Sequence, residues 1–187
     1  MAILNKYFLL SLLVNPFLII TQFAAQTQGN EKEELIDWSA TRRLTWSDYK
    51  GKPEPQSGAA ATTTSYLGIQ YNFKNNSVTY KIICQFSKNK SWGLYKNDHI
   101  LGHEQGHFDI TEIFARRLNK ETGEYHFNKN TYQKDLQKIY DDLMDQKERF
   151  QNRYDDETDF SRDKDKQAAW LKKIEKMLDD LKDYSDY

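Results

Sequence analysis

Two segments in the first half of the chain alternate apolar and polar residues. They are residues 66–73 (YLGIQYNF) and 78–86 (VTYKIICQF), and each would place its apolar side chains on one face of a strand. The intervening KNNS is rich in turn-forming residues, so the two segments are predicted to form an antiparallel hairpin. Cys84 occupies an apolar position of the second segment and is predicted to be a small core residue.

The apolar spacing changes from two to about 3.6 after Asp98, which is predicted to be a helix N-cap. This first helix is predicted to run to about Asn119, and two more are predicted over residues 131–152 and 164–183, with a charged connection at 154–165. One stripe of the first helix contains Ile100, His103, His107, Ile110 and Phe114. Because strands precede helices, the predicted fold is α+β, with a small antiparallel sheet in the N-terminal half and a three-helix C-terminal half.

The N-terminus has the composition of a secretory signal peptide, predicted to cover residues 1–25. Lys6 is followed by a short apolar run and then by small residues. Asn15 and Pro16 interrupt the run, which favours a signal peptide over a membrane anchor. We therefore expect a secreted or periplasmic protein with no stable membrane insertion after cleavage, a disordered polar segment at 26–36 and a single domain at 37–187.

The charge balance and the cysteine content restrict the possible partners and ligands. The 27 basic and 28 acidic residues give a net charge of -1, which supplies no reason to expect nucleic acid as a partner. One cysteine cannot form an internal disulfide or a thiolate zinc site, so a metal would have to be held by histidine and carboxylate.

The stretch LGHEQGHFDI (101–110) carries the motif His103-Glu104-x-x-His107. Two histidines four residues apart lie on the same side of a helix and can reach one Zn²⁺ ion. Glu104 is displaced around the helix, where it could act as general base towards a metal-activated water that attacks a peptide bond. The alternative is a pair of partly buried histidines that are satisfied by neighbouring groups.

A third protein ligand is not evident from spacing. Metzincins place a third histidine six residues after the second, a position occupied here by Ile113. Glu112 lies on the motif helix but points away from His107. The other groups within reach are left open: Glu121, Glu124, His126, Glu148, Glu157 and the acidic stretch 155–159.

Three segments resemble a family of exported bacterial proteins of unknown function, domain of unknown function 922, predicted to be secreted zinc-dependent proteases. They are RLTWSDYKGKP (43–53), HEQGHFDITEIFARRL (103–118) and YDDETDFSRDKDKQAAW (154–170). The resemblance implies a zincin-like metallopeptidase domain in which His103 and His107 bind zinc and Glu104 is the catalytic carboxylate.

The chain departs from that family at one position. The family's Tyr-Asp-x-x-Thr pattern is usually followed by one residue and then a histidine, which would be an attractive third ligand. Phe160 stands at this position, after Tyr154, Asp155 and Thr158. Asp159 is the first replacement to consider, and another carboxylate is an alternative.

The leading hypothesis is therefore an exported zinc peptidase that acts on a peptide or protein substrate. A non-catalytic exported metal-binding or interaction module is the second hypothesis, and a zinc hydrolase acting on a non-peptide amide is a third. Substrate specificity and oligomeric state have no signal in the sequence.

Overall fold

The computed structural model describes residues 32–74 and 77–187. The predicted signal peptide lies outside these residues. The described strands are β1 (Leu35–Asp37), β2 (Ala61–Thr62), β3 (Ser65–Lys74), β4 (Ser77–Ser87) and β5 (Trp92–Gly93). The helices are α1 (Asp98–Gly123), α2 (Tyr132–Glu157) and α3 (Lys164–Asp180), and short 3-10 turns occur at Trp46–Asp48, Pro55–Ser57 and Lys182–Tyr184.

The predicted hairpin is confirmed as β3 and β4. The two strands pair antiparallel, with Leu67 opposite Cys84, and β1 pairs antiparallel with the other edge of β4. Strands β2 and β5 form a separate two-stranded sheet. The α+β class, with antiparallel sheets first and three helices afterwards, is therefore confirmed.

Helix α1 carries the motif through the centre of the domain. It contacts β3 and β4 as well as α2 and α3, so apolar side chains are needed around much of its circumference. Its Phe108, Ile110 and Phe114 belong to the same core cluster as Phe86 of β4. Cys84 is a free, buried member of this cluster, as predicted.

The ends of the helices differ from the sequence prediction. The N-cap of α1 is Asn97, whose side chain accepts from the Ile100 amide at 2.9 Å, and α1 continues to Gly123 rather than ending near Asn119. Helix α2 runs to Glu157, so residues 154–157 are helical and the predicted connection begins later. No glycine or proline interrupts this acidic stretch, and the Thr158 hydroxyl donates to the Tyr154 carbonyl at 2.7 Å where the helix ends.

The prediction of disorder over 26–36 is wrong for its last residues, while residues 26–31 lie outside the described part. Leu35 and Ile36 belong to β1. The Ser87 hydroxyl donates to Glu33 at 2.5 Å, and Lys50 donates to Glu34 at 2.6 Å. These contacts order a segment whose polar composition alone favours disorder. None of the described helices is long and apolar enough to cross a membrane.

Candidate metal centre

Helices α1 and α2 bring two histidines and one aspartate to a single point. Asp155 Oδ1 lies 3.0 Å from Nε2 of His103 and 3.0 Å from Nε2 of His107, and the two Nε2 atoms are 3.2 Å apart. Ligand atoms of one tetrahedral zinc ion are separated by about 3.3 Å when each bond is about 2.0 Å long. His103, His107 and Asp155 therefore form a group that could hold a metal ion.

Asp155, rather than Asp159, is the carboxylate at this site. It lies in the last turn of α2, which the sequence analysis placed in a connection. The Asp159 side chain is 60% exposed and pairs with Arg162 at 2.6 Å, so the expectation that Asp159 replaces a histidine ligand is not supported. An acidic side chain is unfavourable at a helix C-terminus, and the two histidines offset that cost for Asp155.

Gln151 determines which nitrogen of His107 faces the site. Its Nε2 donates to the His107 carbonyl at 2.9 Å, and its Oε1 lies 2.5 Å from His107 Nδ1. Because Oε1 can only accept, Nδ1 carries a hydrogen, and in the neutral ring the lone pair is on Nε2. That lone pair points at Asp155, so a cation is needed between the groups. This is the tautomer and orientation required of a histidine metal ligand.

Tyr154 supports His103 from the neighbouring turn of α2. The two rings stack with centroids 4.5 Å apart, and the Tyr154 hydroxyl donates to the His103 carbonyl at 3.2 Å. Tyr154 is fully buried, which agrees with the prediction of a core role. A β-carbon on residue 106 would stand 2.5 Å from the Tyr154 hydroxyl, so Gly106 is the residue that permits this contact.

The electrostatics of the three groups favour one bound positive charge. Burial raises the pKa of Asp155, but hydrogen bonds with His103 and His107 outweigh it and hold the pKa well below its usual value. Burial lowers the pKa of His103, and the contact with Asp155 offsets this only in part. For His107, burial is outweighed by the Asp155 contact and the charge of Glu104, so its pKa is raised.

Glu104 lies beside the histidines with one oxygen free. The residue is 4% exposed, and its Oε2 has no hydrogen-bond partner among the described residues. Thr63 donates to the Glu104 carbonyl at 3.2 Å, which ties this turn of α1 to the segment after β2. A buried carboxylate oxygen without a partner is costly, and a water or a substrate N–H in the cleft would satisfy it.

The three groups and Glu104 line one open cleft of about 1040 Å³. One wall is the segment 57–65, which includes β2, and the opposite wall is α2 with the turn that follows it. The cleft is large enough for several residues of a peptide.

Phe160 lies at the rim of this cleft and is not a ligand. It is 57% exposed and lines the cleft. Asp159, Phe160 and Ser161 all have positive φ, at 48°, 51° and 70°, a conformation that disfavours side chains with a β-carbon. The Ser161 carbonyl is held by His99 Nε2 at 2.6 Å, which anchors this strained turn to the first turn of α1.

The other candidate ligands lie away from the site. Glu112 is buried against Arg116 at 2.8 Å and also accepts from the Tyr187 hydroxyl, so discounting it is supported. Glu157 accepts from the Trp170 indole at 2.8 Å. None of the following lines the cleft: Glu121, Glu124, His126, Glu148 and Glu157.

Sequence reasoning missed the contribution of α2. Lys147, Gln151 and Asp155 are spaced four residues apart and all line the cleft. This spacing is visible in the sequence, but it becomes a signal only if α2 is known to continue past residue 152.

The fold and the site thus define a bacterial class of α+β domain with a helix-borne His-Glu-x-x-His motif and a possible His-His-Asp metal centre. The family model described as "Bacterial protein of unknown function (DUF922)" matches residues 21–162, and the chain belongs to this family. The matched region contains all three residues of the centre. Searches among curated proteins and among solved structures found no match.

Proposed function

We propose that this chain is an exported zinc-dependent peptidase. The observation that carries the proposal is the convergence of His103, His107 and Asp155 at the wall of an open cleft, beside a buried Glu104 with a free oxygen. Two imidazoles and one carboxylate match the donor sets of catalytic zinc sites, which leave a further position for water or substrate.

Each residue has a distinct part in this proposal. His103, His107 and Asp155 would hold the ion, which when bound supplies Lewis acidity and lowers the pKa of water. Glu104 accepts the proton from the attacking water and passes it to the leaving amine. Gln151 and Tyr154 orient the two imidazoles, and the 57–65 wall positions the peptide chain.

The nearby free carboxylate is what favours hydrolysis over passive metal storage. A site that only stores metal gains nothing from a fourth acidic group that is buried without a partner, because its desolvation is a cost. A general base requires that same arrangement, with one oxygen left for the reactant.

Glu104→Gln tests the proposal with the metal ligands intact. The purified, zinc-loaded variant is expected to retain zinc, measured by plasma mass spectrometry, and to lose at least about 100-fold of its activity on a fluorescent casein substrate. Glu148→Gln, on the exposed side of α2, is the matched control and is expected to retain activity.

Equal activity in Glu104→Gln and Glu148→Gln would refute the peptidase assignment. Stoichiometric metal without hydrolysis in any form of the protein would favour the non-catalytic metal-binding or interaction module. The absence of bound zinc in the wild type, together with no effect of His103→Ala on metal content, would refute the zinc centre itself.

We further propose that the protein acts outside the cytoplasm, after removal of residues 1–25. The support is the pattern of Lys6, the short apolar run and the small residues that follow it. N-terminal sequencing of the protein isolated from the periplasm or the medium is expected to begin near residue 26. An uncleaved chain in the cytoplasmic fraction would contradict the proposal.

A further inference from the structure

Lys147 shares the cleft-facing side of α2 with two residues of the metal centre. It precedes Gln151 by four residues and Asp155 by eight, and all three line the cleft. Successive residues at this spacing stay on neighbouring parts of one helix face. The lysine therefore belongs to the wall of the candidate active site, although it is not near enough in sequence to be part of its first turn.

The Lys147 ammonium has no partner among the described residues. Other lysines on the helices are paired, since Lys138 donates to Asp142 at 2.6 Å and Lys176 donates to Asp180 at 2.5 Å. Lys147 makes neither a hydrogen bond nor an ion pair with the part of the chain that is described. Its side chain is also partly buried, and burial lowers its pKa.

A partly buried cation without a counterion is unfavourable unless a ligand supplies the negative charge. The free amine of lysine is a mobile point charge, which suits a single carboxylate better than a planar, bidentate contact. In a cleft that takes peptides, the available anions are acidic side chains and the C-terminal carboxylate. Both present the same carboxylate chemistry.

Helix geometry gives the distance at which such a carboxylate would bind. Asp155 lies about 12 Å further along the helix axis than Lys147, because each residue rises about 1.5 Å. An extended peptide advances about 3.3 Å per residue. Allowing for the length of the lysine side chain, the carboxylate would lie about two to four residues from the peptide bond at the metal centre.

We propose that Lys147 is a binding subsite for a substrate carboxylate located about two to four residues from the cleaved bond. It makes the protein selective for acidic peptides, or for bonds near a free C-terminus. This inference rests on the proposed peptidase function and names the class of substrate. Lys147 is a specificity residue here, and it takes no part in proton transfer.

Matched peptides test this subsite. The zinc-loaded protein is given internally quenched eight-residue peptides in which one aspartate is moved along an otherwise uncharged sequence, each paired with its asparagine counterpart. We expect about a tenfold preference in kcat/KM for aspartate over asparagine at one position, because a charged hydrogen bond is worth about 1.5–3 kcal/mol. A second arm compares one uncharged peptide as the free acid and as the C-terminal amide, which separates the two sources of carboxylate.

Lys147→Met keeps the aliphatic stem and removes the charge. In this variant the preference, in whichever arm it appears, is expected to fall to about one. Lys147→Glu is expected to invert it, in favour of a lysine-containing peptide. Lys172→Met, at an exposed position of α3, is the matched control and is expected to keep the wild-type preference.

A binding measurement separates failure of this subsite from failure of the peptidase proposal. Fluorescence anisotropy of the same peptides on zinc-loaded Glu104→Gln does not require turnover. Cleavage by the wild type without any carboxylate preference in either arm would overturn the role of Lys147 and leave the peptidase proposal standing. Carboxylate-dependent binding that Lys147→Met abolishes, without cleavage by the wild type, would retain the subsite and overturn the peptidase. Binding and cleavage that are both indifferent to carboxylates would overturn the subsite.

Both Lys147 variants are first checked by circular dichroism and by zinc content. If Lys147→Glu does not fold, Lys147→Met alone still decides the matter, because loss of the preference requires only removal of the charge.

Discussion

The phenol of Tyr154 lies directly over Gly106, so close that a β-carbon at residue 106 would be 2.5 Å from its hydroxyl oxygen. This contact joins the helix that carries the histidines to the helix that carries Asp155. The glycine inside the His-Glu-x-x-His motif is therefore a packing requirement of the site.

Gly106→Ala is expected to destabilise the protein by about 1–3 kcal/mol, because an added methyl overpacks a closely filled contact. Gly102→Ala is the matched control on the same helix. Its β-carbon would be 3.8 Å from the Gln167 amide, an ordinary contact, and alanine should raise stability by up to about 1 kcal/mol. Urea unfolding of both variants measures the difference, and equal effects would contradict the assigned role of Tyr154.

Asp155→Asn keeps the size of the side chain and removes the charge that faces both histidines. We expect metal affinity to fall by more than about 100-fold, since a lost ligand costs more than the 10–100-fold typical of outer partners. Zinc is also expected to raise the melting temperature of the wild type but not of this variant. Competition with a zinc-chelating dye measures the affinity.

Asp159→Asn is the control for that experiment, because its carboxylate is exposed and paired with Arg162. It is expected to bind zinc as the wild type does. A larger loss of affinity in Asp159→Asn than in Asp155→Asn would reverse the ligand assignment.

Gln151→Ala removes the acceptor that holds the Nδ1 hydrogen of His107. Metal affinity is expected to fall about 10–100-fold, while the ligand atoms themselves remain. Asn152→Ala, on the exposed side of the same turn, provides the comparison and should bind metal normally. Isothermal titration with zinc measures both, and an unaltered affinity in Gln151→Ala would show that the imidazole needs no such support.

Glu112 gives a pH dependence that is separate from the metal centre. Burial raises its pKa above 4.5, despite hydrogen bonds from Tyr187 and Arg116. Because the folded pKa is the higher one, this stabilising contribution is full below pH 4.5 and is lost as pH rises through the folded pKa. Glu112→Gln is therefore expected to gain stability relative to the wild type as pH rises above 4.5.

Urea unfolding of metal-free protein at several pH values measures this difference. Glu175→Gln, at an exposed position of α3, should show a constant offset from the wild type. A Glu112→Gln offset that is equally constant would contradict the assigned pKa shift.

The hairpin and the motif helix could be predicted because their apolar residues repeat at the periods of strand and helix. His103, Glu104 and His107 could be identified because a helix places residues four apart on one side. The end of α2 could not, since YDDETD is polar and has no apolar repeat that would distinguish a last helical turn from a loop.

The sequence by itself determined the α+β order, the two helix-borne histidines and the neighbouring glutamate, all through local periodicity. Only the tertiary structure decided the third group. Asp155 is 52 residues from His103 and reaches it because α2 continues to Glu157 and packs Tyr154 against Gly106. The choice among acidic residues depends on which carboxylate the folded chain directs at the histidines, and the local pattern carries no information about so distant a contact.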